Sequence, residues 1–98
     1  MSLPVIIRPG ADSDLESARD WYARQRVGLG EKFAQRVAAS IDRIGQSPEL
    51  YGEVTPGIRA APVRRHAHIV YYRVFSDRVE VIAIFHGTRD PDGWQSRS

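Results

Sequence analysis

The chain has 98 residues, which is enough for one compact domain and too few for two. Its hydrophobic fraction of 42% and charged fraction of 27% are typical of a soluble globular protein, and its net charge of +2 alone indicates no particular partner. It contains no cysteine, which excludes a disulfide scaffold, cysteine metal sites and a cysteine nucleophile and fits a reducing cytoplasm. We expect a single domain over residues 1–98, in the cytoplasm. The apolar run Val5–Ile7 is too short for a signal peptide or a membrane span.

The first third of the chain predicts a strand followed by a helix. Residues 3–8 are apolar and rich in β-branched side chains at their centre, which favours a strand. Ser13 and Glu16 have the spacing of a capping box, so a helix is predicted over residues 12–26. Four side chains at helical spacing predict its buried face: Leu15, Ala18, Trp21 and Tyr22.

A second helix is predicted over residues 31–46, after a break at Gly28 and Gly30. Its apolar face recurs in steps of four, four and three residues: Phe33, Val37, Ile41 and Ile44. The short break predicts an antiparallel helical hairpin over residues 12–46. Residues 49–57 are rich in turn formers and are predicted as a loop.

The last part of the chain predicts three strands in an antiparallel meander over residues 58–86. The strands are expected at residues 58–64, 68–75 and 79–85, the last being the most apolar and therefore central. Tyr71 and Tyr72 are neighbours on one strand, so one is expected in the core and the other exposed or half-exposed. A polar tail, residues 87–98, contains Trp94. The predicted fold is α+β, of order β-α-α-β-β-β, with the hairpin packed on one face of a small antiparallel sheet.

The sequence indicates neither a metal site nor a cofactor site. His66 and His68 share a strand face, but no third ligand lies near them in the sequence. The pair Gly28 and Gly30 lacks the third glycine and the preceding strand of a dinucleotide-binding loop. Ser40 falls in the second helix, and Ser13, Ser47 and Ser76 fall at caps or in turns, where serine has structural uses.

Basic residues and histidines are concentrated in the meander and just after it. Between Arg59 and Arg73 there are four arginines, two histidines and no acid. Three interpretations remain open: a metal-free RNA-cleaving site, a binding surface for an acidic protein segment, or a solvated sheet face covered by arginine stems. The residue types that RNA cleavage requires are supplied by Arg65, Arg73, Tyr72 and His86. The binding surface would comprise Arg59, Arg64, Arg65, His68, Arg73, His86, Arg89 and Trp94.

The chain resembles the ParE branch of the ParE/RelE toxin superfamily over nearly its full length. Several segments carry the resemblance, and they occur in the same order along the chain as in that family. They are residues 11–16 with Trp21-Tyr22, Phe33 with residues 41–48, residues 57–59, the strand at 68–74, and residues 79–91 with Trp94. The resemblance implies a RelE/ParE toxin-like fold, a role in plasmid stabilisation and a cytoplasmic toxin encoded beside an antitoxin. The antitoxin, ParD-like or of another class, would bind through an amphipathic C-terminal segment.

Within this superfamily, ParE-type members are associated with inhibition of DNA gyrase, and RelE-type members cleave mRNA on the ribosome. Two departures from the nuclease pattern favour the gyrase-directed branch. The loop at 49–57 has two glutamates and no lysine, and the chain extends twelve residues past His86. We therefore expect a toxin that inhibits gyrase by protein–protein binding, without catalysis. The alternatives are a ribosome-dependent mRNA endonuclease and a homologue that has lost toxicity.

Overall fold

A computed structural model describes residues 2–88 and has the predicted element order with one additional strand. The helices are α1, Pro9–Gln25, and α2, Leu29–Gln46. The strands are β1, Val5–Ile7; β2, Glu53–Thr55; β3, Ile58–Pro62; β4, His68–Val74; and β5, Val79–His86. The α+β class is confirmed. Neither helix is long and apolar enough to cross a membrane.

The helix α1 begins at Pro9, three residues before the predicted start at residue 12. Its first residue is Pro9, and the N-cap is Arg8, which has an extended backbone with ψ of 153° and makes no side-chain capping bond. Proline favours this position because its fixed φ suits the first turn and its missing N–H is not needed there. It also holds the preceding residue extended. The prediction that Ser13 and Glu16 form the start of the helix is wrong.

Two glycines shape the helical hairpin, one in the link between the helices and one at the start of α2. Gly28 has φ of 87°, in the left-handed region, and ends the link between α1 and α2. Gly30 already lies in the first turn of α2, where a Cβ would be 2.8 Å from the Arg19 carbonyl oxygen and 3.2 Å from the Ala23 Cβ. Gly30 therefore allows the two helices of the hairpin to approach closely.

The five strands form one sheet of order β1-β5-β4-β3-β2. The meander β3-β4-β5 is antiparallel, as predicted, whereas β1 joins the edge of β5 in the parallel direction. The strand β2 was not predicted, since its three residues lie within a segment of turn formers. It pairs with β3 across a turn in which Gly57 has φ of 83°. The innermost of the five strands is β4, and β5 lies beside it.

The helical hairpin covers one face of the sheet. Phe33, Val37 and Ile44 of α2 are buried there with Val70, Val81 and other strand residues. From α1 the same core receives Ala11, Leu15, Ala18 and Tyr22. Trp21, which was predicted to be buried, is 52% exposed. At 100° per residue, it lies about 100° around the helix from Tyr22 and therefore outside the buried stripe.

The two neighbouring tyrosines of β4 lie on opposite faces of the sheet, beside a β-bulge in β5. Tyr71 is opposite Ala83 and Tyr72 is opposite Val81, so Ile82 is an extra residue in the ladder. Tyr72 points into the helix-side core and is fully buried. Tyr71 lies in a second buried cluster on the other sheet face, with Ile82 and other residues, and is 9% exposed. The expectation that one of the two tyrosines is exposed or half-exposed is wrong.

Candidate functional site

Three histidines meet at one end of the sheet. His68 begins β4 and is opposite His86 at the end of β5, so their rings are neighbours with centroids 5.3 Å apart. The turn before β4 brings His66 to within 3.2 Å of the Tyr22 hydroxyl, measured from Nδ1. We call His66, His68, His86 and Tyr22 the histidine cluster. It joins α1 to the ends of both central strands.

Hydrogen bonds define the proton positions of two of these imidazoles. Arginine has only donors, so Nε2 of His66 accepts from Arg36 Nη1 at 3.1 Å. Neutral His66 therefore carries its proton on Nδ1 and donates to Tyr22. His86 Nδ1 accepts from the backbone N–H of Thr88 at 3.2 Å and lies 2.8 Å from its hydroxyl, so its proton lies on Nε2.

Burial makes two of the histidines poor proton acceptors. It lowers the pKa of His66, with a further contribution from the Arg36 guanidinium. It lowers the pKa of His68 to about 4, with smaller effects from His86 and His66. The buried Nδ1 of His68 has no hydrogen-bond partner among residues 2–88. Both rings are therefore neutral at pH 7.

A pocket of about 530 Å³ lies between α1 and the ends of β4 and β5. Its lining includes Trp21 and Tyr22 from the helix, and His68 and His86 from the strands. Asp14, also in the lining, accepts a 3.0 Å hydrogen bond from the backbone N–H of Ile84. The half-exposed indole ring and the imidazoles offer a contact surface of mixed polarity.

A second concave surface lies beside the histidine cluster, between α2 and the turn that precedes β4. It has a volume of about 430 Å³ and is lined by Arg36, Ala39, Arg43, Arg64 and Arg65. We call it the arginine groove. Arg64 and Arg65 are exposed, and Arg65 has φ of 63°, in the left-handed region. His66 follows Arg65 directly and bonds Arg36, so the groove and the histidine cluster are continuous.

The predicted binding residues do not all lie on this surface. Arg64, Arg65, His68 and His86 share the same end of the sheet. Arg59 instead donates to the Tyr51 carbonyl oxygen at 2.6 Å and holds the loop after α2. Arg73 lies near Gly57, where a Cβ would be 2.9 Å from its Nη2. Arg89 and Trp94 lie outside the described residues.

The four residues named for RNA cleavage are separated. Tyr72 is fully buried, and its hydroxyl donates to the Pro48 carbonyl oxygen at 2.8 Å. Burial also raises the pKa of Tyr72. Arg73 is opposite Glu80, five residues along β4 from the position opposite His86. Five strand residues span roughly 16 Å. Of the set, only Arg65 and His86 lie at the same end of the sheet.

Two arginines of the groove, Arg36 and Arg43, are not among the predicted binding residues, which follow the run of basic residues in the meander. Their spacing in the sequence is the signal that could have identified them. The two residues are seven apart, and seven residues make nearly two helical turns, so both lie on one face of α2. Among residues 2–88, no group of three or more histidine, cysteine or acidic side chains is placed to hold a metal ion.

Solved structures of similar fold include two toxin-system chains. One is a chain of the chromosomal ParDE TA system from P. aeruginosa, with a TM-score of 0.74 and 18% identity, covering 87% of this chain and 96% of that one. The other is the YoeB dimer from Staphylococcus aureus, with a TM-score of 0.58 and 15% identity, covering 85% of this chain and 94% of that one. No curated protein sequence matches this chain. The architecture is that of the small ParE/RelE-type toxins.

A family model identifies the branch. The model described as "ParE toxin of type II toxin-antitoxin system, parDE" matches residues 5–91, nearly the whole chain. The chain belongs to this family of ParE toxins.

Proposed function

We propose that this chain is the toxin of a type II toxin–antitoxin pair and that residues 1–98 act as one domain. The toxin inhibits DNA gyrase in the cytoplasm by binding to the enzyme. A cognate antitoxin would neutralise it through an amphipathic, partly acidic C-terminal segment that becomes ordered on binding. The observation that carries the proposal is the ParE family match over residues 5–91.

The arrangement of the polar residues supports inhibition by binding. Metal-free RNA cleavage needs a base, an acid and a cation within reach of one phosphate. Tyr72 is in the core, and Arg73 is roughly 16 Å along the sheet from His86. In contrast, Arg64, Arg65, His86 and the half-exposed Trp21 offer a contact surface at one end of the molecule.

The direct test is a supercoiling assay with purified DNA gyrase and relaxed plasmid. We expect the purified toxin to stop supercoiling in a dose-dependent way, and the antitoxin to restore it. Heat-unfolded toxin is the control for non-specific inhibition. Unimpaired supercoiling at saturating, folded toxin would overturn the proposal.

One observation favours a second candidate, RNA cleavage on the ribosome. His68 and His86 lie side by side at a pocket, so two imidazoles, the residue type that most often serves as a general base or acid, line the same cavity. In that case His86→Ala would abolish mRNA cleavage and toxicity while the fold and antitoxin binding remain intact. Full toxicity of His86→Ala would exclude this candidate.

A further inference from the structure

The arginine groove has the geometry of a preformed anion site. Arg36 and Arg43 are two helical turns apart, roughly 10 Å along one face of α2. Ala39 lies between them and is exposed, so the space between the two guanidinium groups stays open. Arg64 and Arg65 line the same groove from the turn before β4. Four positive charges therefore surround a small apolar floor.

These charges are not compensated within the described residues. Ion pairs in this part of the chain include those of Arg8, Arg19 and Arg78, each with a nearby carboxylate. The two groove arginines of α2 instead bond neutral groups. Arg36 bonds His66, and Arg43 donates to the Ser40 hydroxyl at 3.2 Å and the Tyr51 hydroxyl at 3.4 Å. Such bonds orient a guanidinium group without cancelling its charge.

Arg64 and Arg65 form no hydrogen bond or ion pair with another described residue and are exposed. Within the described part of the chain, each therefore has all five N–H donors of its guanidinium group available for a ligand. An arginine fork binds a carboxylate through two parallel hydrogen bonds, which gives both strength and orientation. Arg64 and Arg65 are therefore the groove residues that would bond a ligand directly.

The surroundings favour a protein ligand over a nucleic acid. A nucleic-acid footprint is a broad basic face that contacts several phosphates. Here the net charge is only +2, and the exposed surface of α1 carries Asp12, Glu16 and Asp20. The groove is confined to about 430 Å³ and has alanine at its floor, which suits a short segment with both carboxylates and apolar side chains.

We propose that the arginine groove binds an acidic segment of the antitoxin, with carboxylates of that segment paired to Arg64 and Arg65. This inference rests on the proposed function, because it assumes that the chain has an antitoxin partner. It adds the place on the toxin where the partner's acidic residues bind.

The test compares two charge reversals of equal size. Arg64→Glu/Arg65→Glu alters the groove, and Arg24→Glu/Arg26→Glu, at the exposed end of α1, is the matched control. The probe is the purified protein encoded by the reading frame adjacent to the toxin gene, and calorimetry gives the Kd at 50 and 200 mM salt. We expect the groove variant to raise the Kd at least tenfold at low salt and the control to change it less than threefold. The groove variant should also lose most of the salt dependence.

The outcomes separate this inference from the proposed function. If the wild-type toxin does not bind the adjacent gene product, both the antitoxin partnership and the groove assignment fail. If it binds, but the groove variant binds equally well, the groove assignment alone fails.

A 20-nucleotide single-stranded RNA is the second probe. The acidic-peptide assignment is wrong if this RNA binds the wild type as tightly as the adjacent gene product does and if the groove variant loses that RNA binding. If thermal melting shows that the Arg64→Glu/Arg65→Glu variant is unfolded, Arg64→Gln/Arg65→Gln replaces it. This milder variant should change the Kd in the same direction by a smaller factor.

Discussion

Removing the hydroxyl of Tyr72 tests whether this residue is structural. Tyr72 is fully buried, and its hydroxyl donates to the Pro48 carbonyl oxygen, which fastens the segment after α2 to β4. Tyr72→Phe keeps the ring and its packing but leaves that carbonyl without this donor. The net loss for one such bond is about 1 kcal/mol. For a domain of this size that corresponds to a fall in Tm of about 4–8 °C.

The assay combines thermal denaturation, followed by circular dichroism, with growth inhibition on expression. We expect Tyr72→Phe to melt at a lower temperature and to remain toxic at 30 °C. The control is Tyr51→Phe, since the Tyr51 hydroxyl accepts a long, 3.4 Å bond from Arg43 and the residue is half-buried, so the Tm of this variant should change little. Loss of toxicity with an unchanged Tm would refute the structural role and return Tyr72 to the catalytic set.

Three further substitutions probe the hairpin and the histidine cluster. Asp14→Ala should lower the free energy of unfolding by about 1–3 kcal/mol, measured in urea, because it removes the acceptor for the buried Ile84 N–H. Gly30→Ala should also destabilise, by about 1–2 kcal/mol in the same assay, since its Cβ would lie 2.8 Å from the Arg19 carbonyl oxygen and overpacking outweighs the gain in helix propensity. His68 has a pKa of about 4 when folded and 6.5 as its ordinary value, so the unfolded chain takes up its proton first and stability should fall as the pH drops from about 6.5 to about 4. His68→Phe should reduce that fall, as measured by urea midpoints at pH 7, 5.5 and 4.5.

Matched variants make these three results interpretable. Asp20→Ala removes an exposed carboxylate from the same helix and should change stability by less than about 0.5 kcal/mol. Gly52→Ala adds a methyl group where no atom lies within 4 Å, so it should be tolerated. The pH dependence that remains in His68→Phe should include the contribution of His66, whose pKa is also lowered. An unchanged pH profile in His68→Phe would contradict the assignment to His68.

Periodicity predicted the elements that carry most of the buried surface. The face of α2 was read from side chains spaced three and four apart, and β4 and β5 from dense β-branched and aromatic runs. Competing local signals caused the errors at boundaries. Pro9 starts α1 although a capping-box pattern follows it, and β2 is too short to stand out among turn residues.

Strand register limited the prediction of the site. Tyr72, Arg73 and His86 have residue types that RNA cleavage requires. The strand register, however, places Arg73 and His86 at different ends of β4 and β5. Both tyrosines are buried because each face of the sheet carries its own buried cluster, which the pattern of a single strand does not reveal. The arginine groove also depends on tertiary packing, since it needs α2 and the turn before β4 to meet.

The most direct test of gyrase as the target is expression of the toxin in cells that lack the antitoxin, with two responses measured together. Blocked DNA supercoiling should induce the DNA damage response while protein synthesis and mRNA remain intact at early times. Early translation arrest with mRNA cleavage and no DNA damage response would contradict the account and favour the ribosome. Normal growth at full expression would also contradict it and identify a homologue without toxicity.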